Sequence, residues 1–250
     1  MMKLLKYDWK RNANTFSGIA VVLVIVQTLL AVIGNIKGWD ERVMIAFSVM
    51  LYLAAGIILL VLVCKTFEAN IKAYNRRLLP VHPARTLLSS LLLGMISAAA
   101  FGVIMLVHAL IYIYYSSMSF NHFLGLASWK DWLLLVLAMA WNCIFLLLIL
   151  FTSITIGASI SVRGKAGTWI GIFSFFVIIT LMSWFEGLLF GNSDSSILGY
   201  KVFQAGTNDQ VVQITSGSPI LDWAPFLMEA LYAGMMFYAV IYLLSKKIKI

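Results

Sequence analysis

Six apolar runs, each long enough to cross a bilayer, constrain this chain more than any other feature. They occupy residues 16–34, 43–64, 86–115, 132–160, 168–190 and 223–244. About 20 helical residues span a hydrocarbon core of about 30 Å. Backbone N–H and C=O groups must be paired in lipid, so runs of this length and continuity are expected to be helices. The third and fourth runs are long enough to tilt or to project into water. Composition agrees: 62% of the 250 residues are hydrophobic and only 11% charged, whereas a soluble domain carries about 25%. The expected fold is an all-α integral membrane protein, a single transmembrane domain over 1–250 with no space for a conventional soluble catalytic domain.

The Lys and Arg residues set the expected orientation, because cytoplasmic connections are enriched in them. The N-terminal tail holds Lys3, Lys6, Lys10 and Arg11, and the connection after the second span holds Lys65, Lys72, Arg76, Arg77 and Arg85. Arg163 and Lys165 follow the fourth span, and Lys246, Lys247 and Lys249 close the chain. The other side has only Lys37, Arg42, Lys130 and Lys201, together with most of the acids and with Trp39, Trp129, Trp132, Trp184 and Trp223 at the position of an aromatic belt. Both termini are therefore expected in the cytoplasm. The net charge of +8 reads as a topology signal, and its scatter over four segments argues against nucleic acid as a partner.

The opening MMKLLKYDWKRNANTF places Met2, Leu5, Trp9 and Phe16 near one helical face and Lys3, Lys6 and Lys10 on another. That pattern predicts an interfacial elbow helix over 1–15. Small residues recur every four positions at Ser90, Gly94, Ala98 and Gly102, at Ser153, Gly157 and Ser161, and at Gly167 and Gly171; such stripes let helix backbones approach closely. The segment 191–222 is long enough for a small folded cap or a re-entrant hairpin. Cys64 and Cys143 fall at different expected depths and read as packing residues.

Between the second and third spans the chain runs KTFEANIKAYNRRLLPVHPAR, residues 65–85. Phe67, Ile71, Tyr74 and Leu78 recur at helical spacing, and Pro80 and Pro83 oppose continuation because proline lacks the N–H and clashes with the preceding turn. A short amphipathic helix ending in a stiff turn suits a lever on which a soluble partner pushes. An ordinary positive loop would need the charge but not the stiffness.

A basic elbow, six spans with both termini inside, a helix with an LP-x-x-P turn between spans two and three, and a polar outer segment before span six together resemble the ABC transporter type-2 permease family. The quoted stretches that carry the resemblance are LLKYDWKRN and RRLLPVHPARTLLSSLLLG. The resemblance implies that residues 67–83 form the coupling helix docking on a separately encoded ATPase, with Asn75, Arg76, Arg77, Leu78, Leu79, Pro80, His82 and Pro83 as its contacts. It also implies export, a bacterial plasma membrane, two ATPase copies that bind ATP and magnesium, and a second permease copy or paralogue to complete the pore. The chain carries no ATPase site of its own, since RGKAG at 163–167 lacks the phosphate-loop spacing. It is thus expected to be a transport subunit rather than an enzyme, and to bind no cofactor directly.

Ionisable groups within spans mark functional hypotheses. Glu186 and Glu229 fall in the outer third of spans five and six, where they line or gate an outer vestibule, meet a cationic substrate, or position the outer segment. Gln27 and Asn142 lie mid-span and either bond across helices or face a pore. His108 reads as a packing residue, His122 stands alone, and three scattered histidines make no metal site. Thr152, Thr155 and Ser159 are expected to bond their own backbone. Largely apolar spans suit an amphipathic or lipophilic substrate such as a peptide, an antibiotic or a lipid-like molecule. Two rival readings stay open: a secondary transporter or small-molecule-binding membrane subunit, and a scaffold that transports nothing.

Overall fold

The computed structural model describes residues 2–72, 82–115, 129–160, 166–190 and 223–246. They form six helices: α1 (Met2–Lys37), α2 (Glu41–Lys72), α3 (Pro83–Tyr115), α4 (Trp129–Ile160), α5 (Ala166–Phe190) and α6 (Trp223–Lys246). There is no strand among the described residues. All six helices are long and apolar enough to cross a membrane, so the chain has the make-up of a multi-pass membrane protein. It divides into two compact units, Met1–Ile111 and Tyr112–Ile250.

In the first unit α1 and α2 form a tight antiparallel hairpin. Gly38 ends α1 with a φ of 62°, a left-handed conformation that a side chain disfavours. Its N–H reaches the Asn35 carbonyl at 3.3 Å, and the Trp39 N–H reaches the Gly34 carbonyl at 3.0 Å; these are the two bonds of a Schellman cap. Asp40 then caps α2, its carboxylate accepting from the Arg42 N–H at 3.1 Å. Further along the hairpin, the Gln27 amide nitrogen donates to the Ser48 carbonyl at 3.2 Å. Leu23, Tyr52 and Ala55 form a small core joined by Phe101 and Ile104 from α3. The Tyr52 ring packs on both Phe101 (5.9 Å) and His108 (5.7 Å), so His108 is a packed ring.

Helix ends differ from the apolar limits of the spans. α1 is unbroken from Met2 and has 36 residues, about 54 Å at 1.5 Å per residue; residues 2–15 are thus its first four turns, continuous in helix with the span. α2 passes Cys64 and runs on to Lys72, so the first part of segment 65–85 is a direct continuation of α2 rather than a separate short helix. The reason is visible in burial: Val63, Phe67, Asn70 and Ile71 are 0–3% exposed and keep one face packed beyond the apolar run. Pro83 does not interrupt helix but begins it, as the first residue of α3, where its missing N–H costs nothing. His82 caps that start, its carbonyl accepting from the Arg85 N–H at 2.9 Å and its Nδ1 from the Ala84 N–H at 3.3 Å.

In the second unit α4 packs against both α5 and α6. The small residues Ser153, Gly157, Gly167 and Gly171 form the α4–α5 seam: a Cβ on Gly157 would collide with the Gly167 carbonyl oxygen and lie 3.0 Å from the Gly171 nitrogen. The stripe in the third span is not such a seam throughout, since Ser90 is buried but Gly102 opens onto free space. Thr152, Ser153 and Thr155 bond the carbonyls four residues back, and Ser159 that of Ile156, at 2.7–2.9 Å. That self-satisfaction leaves the α4 surface effectively apolar for packing.

Candidate functional site

Buried polar groups occur in both units among the described residues. In the first, Asp8 of α1 is fully buried and Asn70 of α2 is 3% exposed. The Asn70 amide donates to Asp8 Oδ2 at 3.1 Å, and its carbonyl oxygen accepts from Arg11 at 3.1 Å. Arg11 also lies 3.7 Å from Asp8 Oδ1. One side chain of α2 thus bridges an acid and a base of α1, with both of its polar ends used. Asn12 donates to the Asp8 carbonyl at 2.9 Å on the same turn. A charge buried this deeply is tolerable only when paired and hydrogen-bonded, so the cluster fixes which turn of α1 meets the last turns of α2.

In the second unit the acids stand on α5 and α6, which both pack against α4. Glu186 of α5 is 7% exposed and Glu229 of α6 is 2% exposed. The indole N–H of Trp141, on α4, donates to Glu229 Oε2 at 2.8 Å, and its ring lies 5.0 Å from that of Phe226. Tyr232, one turn beyond Glu229 on α6, has its hydroxyl buried without a partner. Glu186 lies within electrostatic range of both Glu229 and Tyr232. No Lys, Arg or His occurs among the described residues from 131 to 245. Both carboxylates are therefore buried, Glu229 has one N–H donor, and neither has a counter-charge on the described helices of this unit.

Of the residues singled out from sequence, Glu186 and Glu229 are both buried and Gln27 is placed in a cross-helix bond. The Gln27 Oε1 and the Asn142 Oδ1 are buried without a partner. His82 and Pro83 form the start of α3, while Asn75, Arg76, Arg77, Leu78, Leu79 and Pro80 lie outside the described residues, as do His122, Ser161 and the segment 191–222. Both cysteines are free thiols. Sequence reasoning missed Asp8, Asn70, Trp141 and Tyr232. Asp8 did carry a signal, as the lone acid in a basic tail. Trp141 carried a fainter one, as a tryptophan far from either end of its run.

Comparison of the chain with family models, curated proteins and solved structures finds no match.

Proposed function

We propose that this chain is the membrane-spanning half of an ATP-driven ABC exporter, oriented with both termini in the cytoplasm of a bacterial cell. The observation that carries the reading is that helix enters segment 65–85 from both of its ends. α2 runs unbroken out to Lys72 and α3 begins at Pro83 under its His82 cap. A force applied to the residues between them reaches the ends of two spans. The Asp8–Asn70–Arg11 cluster passes the same force to a third, because it locks α1 to the end of α2. Residues 67–83 then act as the coupling element on which a separate ATPase docks, one of two copies in the whole transporter, with Asn75 to Leu79 at the contact. The basic first turns of α1 lie at the cytoplasmic interface, where their lysines meet lipid headgroups.

A second permease copy or a paralogue completes the translocation path. In the most apolar windows of α1 and α5 only 11% and 6% of residues are buried, which leaves both surfaces for lipid and for that second half. The ATPase subunits supply ATP hydrolysis, and this chain supplies the path. Amphipathic or lipophilic molecules are the substrates that a largely apolar interior accepts.

One observation favours a gradient-driven transporter instead: the buried acid pair is the kind of group that carries a coupling ion. Purification of the tagged chain from its own membranes separates the two readings. Co-purification of an ABC-type ATPase with ATP hydrolysis supports the first. A chain that comes through alone, hydrolyses nothing and moves substrate only under an ion gradient supports the second.

A further inference from the structure

We infer that the groove between α1 and α2 holds one acyl chain of an anionic phospholipid, whose phosphate is met by Arg11 and Lys65. The inference needs the membrane-spanning helices and not the ATPase, so it goes beyond the exporter reading.

The groove is a cavity of about 460 Å³ between residues 15–26 of α1 and 51–58 of α2, within the range of about 300–1,000 Å³ for ligand sites. Leu23 and Ala55, each 6% exposed, form its floor, and Val22 and Ile58 stand exposed at its sides. No atom lies within 4 Å of the point that a Cβ on Gly18 would occupy, so the missing side chain leaves space there. Of the lining residues only Thr15 has a polar side chain, and it sits at one end. From Thr15 to Val26 the helix rises about 16 Å, close to one leaflet's half of a hydrocarbon core about 30 Å thick. A helix from a second copy would need a seam through both leaflets. An acyl chain needs only this length.

The charges select the lipid. Arg11 lies four residues before Thr15 and Lys65 seven after Ile58, spacings that keep each on the groove stripe of its own helix. The Asp8–Asn70 and Gln27–Ser48 bonds set the register of the hairpin, and counting back from Asn70 places Lys65 within about a turn of Arg11. Both walls thus end in a cation at the Thr15 end. The Arg11 side chain is 36% exposed, and its contacts with Asn70 and Asp8 run through one terminal nitrogen. A guanidinium has five N–H donors, so a phosphate can be met at its other edge. Lys65 is exposed and takes part in neither ion pair among the described residues. Of the nearby acids, Asp8 is fully buried against Asn70, and Glu68 is committed to Lys72 at 2.6 Å. Cations, then a hydroxyl, then hydrocarbon follow the order of phosphate, glycerol ester and chain in a phospholipid.

The test titrates the full chain in nonionic detergent with phosphatidylglycerol or with phosphatidylcholine of identical chains, and counts retained lipid by native mass spectrometry. The expected result is one phosphatidylglycerol per chain, held about tenfold or more tighter than phosphatidylcholine. Lys65→Gln should weaken it about fivefold, the share of one cation near a membrane surface. Gly18→Leu fills the groove and should remove retention of both lipids, and glycerol 3-phosphate, a headgroup without a chain, should not compete. Thermal unfolding checks that each variant is folded; if Gly18→Leu is not, Lys65→Gln and the wild-type comparison still decide. Equal retention of the two lipids, displacement by glycerol 3-phosphate, or undiminished retention in either folded variant would each overturn the assignment. So would a dimer that retains no lipid and is dissolved by Gly18→Leu, which gives the groove to a second copy. Recovery of an ATPase plays no part in the readout, so failure of the lipid site and failure of the exporter reading are seen separately.

Discussion

Replacing Asn70 with alanine removes two hydrogen bonds at once, one to a buried carboxylate and one from a guanidinium, at 3.1 Å each. A hydrogen bond to a charged group contributes about 1.5–3 kcal/mol in water-soluble proteins, whereas bonds between helices in membranes average about 0.6. The cluster sits beyond the apolar run of α2, with Arg11 partly in contact with solvent, so an intermediate value applies. Two such bonds are worth about 2 kcal/mol together, roughly a thirtyfold shift in the folding equilibrium. Alanine is also the better helix former, which returns about 0.5 kcal/mol or more and would blur a single-variant reading. A double-mutant cycle of Asn70→Ala with Asp8→Ala cancels that contribution. Unfolding of the purified protein in mixed micelles by increasing denaturing detergent supplies the four free energies. The cluster predicts a coupling of about 1 kcal/mol or more between the two sites. Additivity within about 0.5 kcal/mol would refute the idea that Asn70 holds α1 to α2 through Asp8.

Gly157→Leu should force α4 and α5 apart and destabilise by about 3 kcal/mol or more, because the clash is with backbone. Gly102→Ala, at a position with no atom within 4 Å, should instead stabilise by up to about 1 kcal/mol; thermal unfolding of both variants separates a seam from an open face. Gly38→Ala puts a Cβ at a φ of 62° and should destabilise the α1–α2 hairpin by about 1 kcal/mol, a loss read in the same assay.

The spans were legible because hydrocarbon selects for unbroken apolarity, and six such runs leave little choice. Their ends were less so, for hydropathy marks where lipid stops and not where helix stops. Lys65 to Lys72 are polar enough to end a run, yet they include no helix breaker and keep Phe67 and Ile71 on the packed face of α2. A proline in such a pattern looks like an obstacle, whereas with the capping His82 before it Pro83 opens a helix. The Gly157 seam was visible as a small-residue stripe, and Glu186 and Glu229 as lone acids in apolar runs. Their neighbours Trp141 and Tyr232 were hidden, because an aromatic residue in an apolar run has the same pattern whether it faces lipid, core or a carboxylate. Asp8 and Asn70 are 62 residues apart, and only the pairing of α1 with α2 turns two unremarked polar residues into one cluster.

The central claim is that a separate ATPase drives this chain through the residues between α2 and α3. The most direct measurement is the ATPase recovered per chain when tagged wild-type and Leu78→Asp proteins are purified in parallel from equal amounts of membrane. The account predicts an ABC-type ATPase bound to the wild type and lost from the variant, with both chains inserted to the same level. An ATPase retained equally by the variant would contradict the docking role of residues 75–79, and a wild type without any ATPase would contradict the exporter itself.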